Sequence, residues 1–257
     1  MERLLARHYS ILKDLELEGY VSVQNLCNKY SVSPVTIRKD LNFLEDRGLL
    51  YRTHGGASKQ VCYAYEKNVR EKENINPKAK ISIAEAAVSL VRENQSLILA
   101  SGTTLHYFAR KLINFAPLTV LTSSLHVALE LCLNPEINII QLGGEVHKSS
   151  ASIVGTISES ILRQFSCHTL FLGVDGIDLQ FGMSTSNAAE AQLNRLMMEC
   201  SDKVVVLADS SKLNRKGFGK IASLEEIDFL VTDPLISEKD EKNLEDFGIQ
   251  VIKAKSF

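Results

Sequence analysis

The chain has 257 residues, and its 29 lysines and arginines nearly balance 31 aspartates and glutamates, for a formal net charge of −2 at pH 7. This balance excludes a general basic field, so any affinity for nucleic acid has to come from a local patch. The length predicts roughly two domains.

The N-terminal residues predict two helices separated by an extended stretch. Apolar residues recur at helical spacing before Gly19, which is a helix stop. Residues 20–23 are β-prone, residues 23–30 favour a short helix, and residues 31–32 turn the chain. The apolar residues of the first helix are Leu4, Leu5, Ile11, Leu12 and Leu15. This spacing is typical of a helix-turn-helix.

A capped helix follows the turn. Ser33 is a good N-cap, Pro34 suits the first helical position, and Gly48 ends the helix. One face carries an apolar stripe at i, i+4 and i+7, formed by Ile37, Leu41 and Leu44. Polar side chains surround the rest of the helix, namely Thr36, Arg38, Lys39 and Asn42. One face therefore packs, and the other is available to contact DNA.

The next residues favour a β-hairpin wing. Residues 49–56 are β-prone, carry Arg52 and His54, and end in a glycine pair. Residues 29–59 contain six lysines and arginines against three acidic residues. This excess of positive charge is modest for a segment that binds DNA phosphates. Charge alone does not exclude the alternative that these residues form only an amphipathic helical hairpin whose charged face meets solvent.

Residues 59–76 predict a connector, because they are mostly polar and charged and cannot build a core of their own. From residue 77 onward, short apolar runs alternate with helical periodicity, which predicts an α/β domain with a mainly parallel sheet. Its first helix is predicted over residues 81–91. The predicted strands cover residues 96–100, 118–122, 137–142, 169–174, 203–208, 228–232 and 249–252.

Polar residues follow several of these strands, where ligands bind in such sheets. Ser101, Gly102, Thr103 and Thr104 open a helix and form a phosphate cradle. The residues after the later strands are Thr122, Ser123, Ser124, Gly143, Gly144, Asp175, Gly176, Asp209, Ser210, Ser211 and Lys212. Each alone fits an ordinary helix cap. Together they predict an anion-friendly pocket with one cation, Lys212, at its rim.

The cysteines and histidines favour neither a disulfide framework nor a metal site. Five cysteines (Cys27, Cys62, Cys132, Cys167 and Cys200) are odd in number and lack Cys-x-x-Cys spacing. The histidines at 106, 126, 147 and 168 have no ligand at metal-binding spacing. We expect no cofactor. No apolar stretch approaches the ~20 residues of a membrane span, and a signal core is lacking, so we expect a cytoplasmic protein without membrane contact.

The N-terminal motif resembles the DNA-binding module of DeoR-type bacterial transcriptional regulators. The matching positions are Val32, Ser33, residues 36–41, Leu44, Glu45, Gly48 and residues 52–57. The resemblance implies a winged helix-turn-helix over residues 1–58. We expect Ser33, Thr36, Arg38, Lys39 and Asn42 to contact the major groove of double-stranded operator DNA, and Arg52 and His54 to contact backbone or minor groove.

The rest of the chain resembles the sensor domain of the same regulators, whose fold is related to ribose-5-phosphate isomerase. The residues that carry this likeness are residues 101–104, Gly143, Gly144, Gly155, residues 173–178, Gly182, Glu190, Ala191 and residues 209–212. The resemblance implies a phosphorylated sugar or related metabolite as effector of residues 77–257. It also implies that residues 101–104 and Ser123 and Ser124 lie near the phosphate.

A working sugar-phosphate isomerase is the alternative. Isomerisation needs a positioned base and a group that stabilises the enediolate, and Asp175, Glu190, Asp209 and Lys212 are candidates. Pentose-phosphate isomerases carry a Lys-Gly-Gly run after their Asp-Gly-Ala-Asp segment, whereas Asp178 is followed by no lysine here. We therefore predict a regulator, a repressor by the family's habit, that acts as a homo-oligomer (dimer or tetramer) on repeated half-sites.

Two positions depart from the family pattern. Ala100 replaces an aspartate before the Ser-Gly-Thr-Thr run, and Ser123 replaces an asparagine. We expect both on the pocket rim. Loss of the carboxylate there favours a ligand with more negative charge or fewer hydroxyl groups.

Overall fold

A computed structural model describes residues 5–45, 49–53, 55–58, 62–63, 68–115 and 117–256. The chain divides into two compact units, residues 1–63 and residues 64–257. Each unit is described by itself below.

The first unit is a three-helix module with a small antiparallel sheet. Its elements are α1 (Ala6–Glu18), β1 (Tyr20–Ser22), α2 (Val23–Tyr30), α3 (Pro34–Glu45), β2 (Tyr51–Thr53), β3 (Gly56–Ser58) and β4 (Cys62–Tyr63). The sheet order is β1-β3-β2, with both pairs antiparallel. This arrangement confirms the predicted winged helix-turn-helix.

Local signals explain the helix ends. Gly19 closes α1 in the left-handed conformation, with φ 70°, and its N–H donates to the Leu15 carbonyl. The Ser22 hydroxyl caps α2 by accepting from the N–H of Asn25. Gly48, the predicted end of α3, lies outside the described residues.

The core of the first unit contains the predicted apolar stripe. Ile37, Leu41 and Leu44 of α3 are fully buried. They pack with residues of α1, α2 and the sheet, namely Ile11, Leu15, Val21, Val23, Leu26, Cys27, Leu50 and Ala57. Gly56 allows β1 and β3 to approach, because a Cβ there would lie 1.8 Å from the Val21 carbonyl oxygen.

The second unit is built on a seven-stranded parallel sheet. Its helices are α4 (Val69–Glu73), α5 (Pro77–Ala87), α6 (Thr103–Leu112), α7 (Leu125–Leu131), α8 (Thr156–Leu162), α9 (Ala188–Glu199) and α10 (Glu238–Glu245). The sheet strands are β5 (Ser96–Leu99), β6 (Leu118–Thr122), β7 (Ile137–Gln141), β10 (Cys167–Leu172), β13 (Ser201–Leu207), β16 (Phe229–Thr232) and β17 (Gln250–Lys253). All seven were predicted, with ends shifted by up to two residues.

Short strands outside this sheet were not predicted. They are β8 (Glu145–His147), β9 (Ser152–Val154), β11 (Gly176–Asp178), β12 (Gly182–Thr185), β14 (Arg215–Lys216) and β15 (Gly219–Ala222). β8 pairs with β9, and β11, β12 and β15 form a small antiparallel sheet. Two to four residues are too few for a periodic pattern to identify a strand.

The strand order of the main sheet is β17-β16-β13-β10-β5-β6-β7. The chain runs outward from β5 to β6 and β7, and then returns to place β10 on the other side of β5. The order therefore reverses between β5 and β10. Ligands of open α/β sheets bind at the carboxyl ends of the strands at such a switch point.

The helix that precedes β5 begins earlier than predicted. The structure has α5 at Pro77–Ala87, followed by a 3₁₀ turn at Val88–Leu90, where a helix over residues 81–91 was expected. Pro77 occupies the first helical position, which needs no N–H donor, and Asn76 precedes it in the left-handed conformation. Lys78 and Lys80 interrupt the apolar pattern before Ile81, so the pattern did not predict a helix beginning at Pro77.

Residues 68–76, assigned above to the connector, belong to the second unit. They contain α4, whose N-cap Asn68 accepts from the N–H of Glu71. The N–H of Val69 donates to the Ser149 carbonyl at 2.7 Å. Their polar composition therefore reflects contacts with polar groups of the sensor unit rather than a free linker.

Candidate nucleic-acid interface and ligand pocket

The N-terminal end of α3 is fixed by its own cap. The Ser33 hydroxyl accepts from the N–H of Thr36 at 3.3 Å and lies 3.0 Å from the Thr36 hydroxyl. This cap satisfies one of the free N–H groups of the first turn. The hydroxyls of Ser33 and Thr36 therefore already have a structural role at this end of the helix.

The polar face of α3 is accessible. Arg38, Lys39 and Asn42 are exposed, Thr36 is half-buried, and Ser33 is exposed. Since Ile37 and Leu41 are buried between them, the exposed residues share the outward face of the helix. The predicted major-groove residues are thus brought together on one surface.

The wing strand β2 lies against α3. The backbone N–H of Arg52 donates to Glu45 Oε1 at 3.0 Å, and Arg52 Nη1 donates to the Arg38 carbonyl at 3.4 Å. The structure therefore places Arg52 beside Arg38, as a joint wing-and-helix surface requires. His54, the other predicted wing residue, lies outside the described residues.

A buried acid that the sequence did not single out fixes α3 against α1. Asp40 accepts hydrogen bonds from Arg7 Nε at 2.5 Å and Nη2 at 3.0 Å, and His8 Nε2 lies 3.1 Å away. Burial alone would raise the pKa of Asp40, but these two partners outweigh it and lower the pKa. Asp40 is therefore neutralised locally, and it adds no free negative charge to the exposed face of α3.

The second unit has a cavity of about 190 Å³ at the switch point between β5 and β10. Nine predicted residues line it, namely Ser101, Gly102, Thr103, Thr104, Asp175, Glu190, Asp209, Ser211 and Lys212. Further lining residues include Val69, Lys72, Ile75, Lys80, Ser150, Thr185, Asn194 and Arg215. The cavity is thus lined by side chains that precede β5 and by side chains that follow β5, β10 and β13.

The N-terminus of α6 lines this cavity. Gly102 is its N-cap, with φ 127°, and no side chain caps the helix there. A ten-residue helix with uncapped N–H groups presents a partial positive charge to whatever occupies the cavity. The phosphate cradle predicted at residues 101–104 is therefore geometrically open to the pocket.

Asp175 organises the cations of the cavity. It accepts from Lys72 Nζ at 2.8 Å and from the Ser186 hydroxyl at 2.9 Å, and Lys212 Nζ lies 3.7 Å away. Burial would raise the pKa of Asp175, but Lys72, Lys212 and Ser186 outweigh it and hold the pKa far below its usual range. Asp175 is thus ionised and holds two ammonium groups at the cavity.

The pocket carries more positive charge than the sequence predicted. Lys212 was expected as its one cation, but Lys72, Lys80 and Arg215 also line it. Burial lowers the pKa of Lys80 to about 8, partly offset by Asp209, and burial also lowers the pKa of Lys212. Lys72 and Lys80 were not predicted, because they precede β5, whereas the pocket was predicted only from residues that follow strands.

Glu190 also lines the cavity, within a hydrogen-bonded group that includes Ser101. Its Oε1 accepts from the Ser152 hydroxyl at 3.1 Å and from the Ser101 hydroxyl at 3.4 Å. Ser150 bridges Ser152 at 2.8 Å and His147 Nδ1 at 2.9 Å. The cavity therefore has a carboxylate acceptor as well as its cations.

Seven predicted pocket residues do not line the cavity: Thr122, Ser123, Ser124, Gly143, Gly144, Gly176 and Ser210. Thr122 donates to the Leu99 carbonyl, and Ser124 caps α7 through the N–H of Val127. Gly144 has φ 144°, and the Gly176 backbone approaches Arg215. These residue types have structural uses here, which their sequence pattern does not distinguish from ligand binding.

The expected rim position of Ala100 is wrong. Ala100 is fully buried in the main core, and its N–H donates to the Phe171 carbonyl. Ser123 is also buried and does not line the cavity. Ala100 directly follows β5, which ends at Leu99, and its side chain packs in the core of the sheet. The first residue after β5 that lines the cavity is Ser101.

Two family descriptions match this chain. Residues 7–60 match the DeoR-like helix-turn-helix domain, and residues 75–234 match the DeoR C terminal sensor domain. The HTH-type transcriptional regulator GlpR of Haloferax volcanii is 38% identical over 232 residues, which cover 90% of each chain. The glycerol-3-phosphate regulon repressor of Escherichia coli K12 is 30% identical over 227 residues, covering 88% of this chain and 90% of that protein.

A solved structure of ribose 5-phosphate isomerase A from Methanocaldococcus jannaschii aligns with 54% of this chain and 55% of its own, with a TM-score of 0.41 and 19% identity.

The winged helix and the family matches define a DNA-binding transcriptional regulator with a separate sensor domain. The chain belongs to the DeoR family. Its relatives carry the names of transcriptional regulators and not of enzymes, which favours regulation over the isomerase alternative. The chain is a regulator rather than an enzyme.

The described part of the chain contains neither a membrane-spanning helix nor a cluster of metal ligands. None of its helices combines the length and the apolar character that a membrane crossing requires. Within the same residues, no group of three or more histidine, cysteine, aspartate or glutamate side chains is arranged to hold a metal ion.

Proposed function

We propose that this chain represses a carbohydrate-metabolism operon and that a phosphorylated sugar or related metabolite controls its binding to double-stranded operator DNA. Residues 1–58 supply the DNA contacts, and the unit that contains residues 77–257 binds the effector. A relative of this chain bears the name of a glycerol-3-phosphate regulon repressor, a regulon named for a phosphorylated polyol.

One observation supports a phosphorylated effector most strongly. An uncapped helix N-terminus and four cationic side chains line the same cavity. A phosphate dianion has three acceptor oxygens and matches both the N–H groups of residues 103–105 and the ammonium groups of Lys72, Lys80 and Lys212. A neutral sugar would add no negative charge to a cavity in which four cationic side chains outnumber the carboxylates of Asp175, Glu190 and Asp209.

The carboxylate of Glu190 is suited to bind the hydroxyl groups of a sugar. Glu190 is 7% exposed and already accepts hydrogen bonds from two serine hydroxyls. A carboxylate accepts from sugar hydroxyls but repels phosphate. We infer that the phosphate binds toward α6 and Lys212 and that the sugar hydroxyls lie toward Glu190.

The DNA contacts follow from the exposed face of α3. Arg38 and Lys39 carry the charge, while Ser33, Thr36 and Asn42 supply hydrogen-bonding groups in the major groove. Arg52 and His54 of the wing would contact phosphates or the minor groove. One such module covers few base pairs, so we propose a homo-oligomer on repeated half-sites, acting in the cytoplasm where its operator lies.

A thermal-shift screen of the full chain tests this function. We expect a cognate sugar phosphate at about 100 times its Kd to add about 2.7 kcal/mol, or several degrees in Tm, whereas the dephosphorylated sugar has little effect. Lys212→Gln should reduce the shift, and Lys242→Gln, an exposed lysine of α10, should not. No shift with any phosphorylated compound, or turnover of one of them, would contradict the proposal.

The pH dependence of binding reports on Lys80. We expect the affinity for the cognate sugar phosphate to fall up to about tenfold between about pH 7 and pH 9, because Lys80, with a pKa of about 8, loses its positive charge over this range. The phosphate itself is mostly dianionic by pH 7. Calorimetry should find a weaker pH dependence in Lys80→Met; an unchanged dependence would show that Lys80 does not face the ligand.

A further inference from the structure

The helix α4 connects the ligand cavity to the part of the chain that precedes it. α4 begins at Val69, six residues after Tyr63, the last residue of the DNA-binding unit. Both Val69 and Lys72 line the cavity. Among the described cavity residues, those of α4 are therefore nearest in sequence to the DNA-binding unit.

Three polar contacts hold this segment to the cavity wall. The N–H of Val69 donates to the Ser149 carbonyl, and Lys80 Nζ donates to the carbonyl of Lys72. Asn76 Nδ2 donates to Asp209 Oδ1 at 3.1 Å. The segment has no buried apolar anchor, because none of the residues of α4 is buried. Its position therefore depends on polar groups that belong to the cavity.

The Lys72 ammonium group makes a fourth polar contact, with the carboxylate of Asp175. Its Nζ lies 2.8 Å from Asp175 Oδ1 and 3.1 Å from Oδ2, while its side chain keeps 23% of its surface exposed. An ammonium group has three N–H donors, and one carboxylate engages at most two of them in this arrangement. A donor therefore remains for an anion that enters the cavity.

We propose that Lys72 binds the anionic group of the effector while it stays paired with Asp175, so that effector binding tightens α4 on the cavity. This inference rests on the proposed function and adds a binding residue and a route for the signal. Lys212 lies on a 3₁₀ turn after β13, far along the chain from the DNA-binding unit, so it contributes affinity without restraining α4.

Thermodynamic linkage gives the sign of the effect. If the anion binds more tightly when α4 is docked, then the bound anion must increase the equilibrium constant for docking of α4 by the same factor. A more firmly docked α4 restrains the sensor residues that lie nearest in sequence to the DNA-binding unit. The effector then changes the restraint on residues 69–76, which is a means of altering operator binding.

Hydrogen–deuterium exchange of the full chain, with inorganic phosphate as the probe, tests this inference. In the wild type we expect saturating phosphate to slow exchange of the amides of residues 69–76 several-fold. In Lys72→Met we expect phosphate to bind at least about tenfold more weakly and, when saturating, to leave those amides unchanged.

Two further variants complete the design. Lys212→Met should also weaken phosphate binding, but saturation should still slow the amides of residues 69–76. Lys72→Arg keeps the positive charge, so phosphate should still slow exchange of these amides. If Lys72→Met does not fold, loss of the slowing in Lys72→Arg would contradict the inference. Equal slowing in wild type and Lys72→Met would overturn the inference while leaving the anion pocket intact. No binding of phosphate to the wild type would overturn both.

Discussion

Arg38→Ala is expected to weaken binding of operator DNA by about 1–3 kcal/mol for each half-site, enough to abolish a specific complex at ordinary concentrations. The Arg38 side chain is exposed on the outward face of α3 and lies outside the core of its unit. Its backbone carbonyl, which accepts from Arg52, is unaffected by the substitution. The loss should therefore come from DNA contacts and not from unfolding.

Fluorescence anisotropy with DNA selected by the wild-type protein from a random pool measures this effect. Lys13→Ala is the matched control, because Lys13 is an exposed cation on α1 of the same unit. Arg38→Ala should keep the wild-type thermal shift with the effector. Loss of both activities would identify Arg38 as a structural residue, and an equal loss on unselected DNA would identify a phosphate contact instead of a base contact.

Asp175→Asn should cost the sensor unit about 3 kcal/mol of stability at pH 7, which is among the largest effects we expect from one substitution there. Asp175 is 6% exposed and pairs with Lys72 and Lys212. An amide of the same shape leaves these two ammonium groups facing each other without a counter-charge. Adding inorganic phosphate should recover part of the loss, since an anion can take the place of the carboxylate.

The same substitution should change the pH dependence of unfolding. Because the folded pKa of Asp175 is lowered, its contribution is fully present above the unfolded pKa near 4 and is lost as pH falls through the folded pKa. Urea unfolding should therefore show a stability difference between wild type and Asp175→Asn that is constant near neutrality and narrows below about pH 4. Asp202→Asn, at an exposed position of β13, should show neither effect.

The helix-turn-helix was predictable because its signals are local. Ser33 and Pro34 mark the start of α3, Gly19 marks the end of α1, and the apolar stripe of α3 identifies its packed face. The tie from Asp40 to Arg7 and His8 was not predictable in this way. These partners lie 33 and 32 residues apart in the chain, and an acid on a charged helix usually faces solvent.

The strands of the sensor were predictable, but their order and the cations of the cavity were not. Each buried strand is a short apolar run, whereas the reversal between β5 and β10 depends on contacts across the whole domain. Lys72 and Lys80 lie before the first strand, and only the fold brings them to its carboxyl end. Thr122 and Ser124 resemble pocket residues in sequence because helix caps and phosphate sites use the same hydroxyl groups.

The inward position of Asp40 has a consequence for how operator preference can diverge among related chains. The orientation of α3 is set by Asp40 with Arg7 and His8 and by the buried Ile37, Leu41 and Leu44, none of which lies on the exposed face of α3. Positions 38, 39 and 42 take no part in that anchoring. We therefore expect that exchange of a few exposed side chains can change the target sequence, while the residues that fix α3 stay the same.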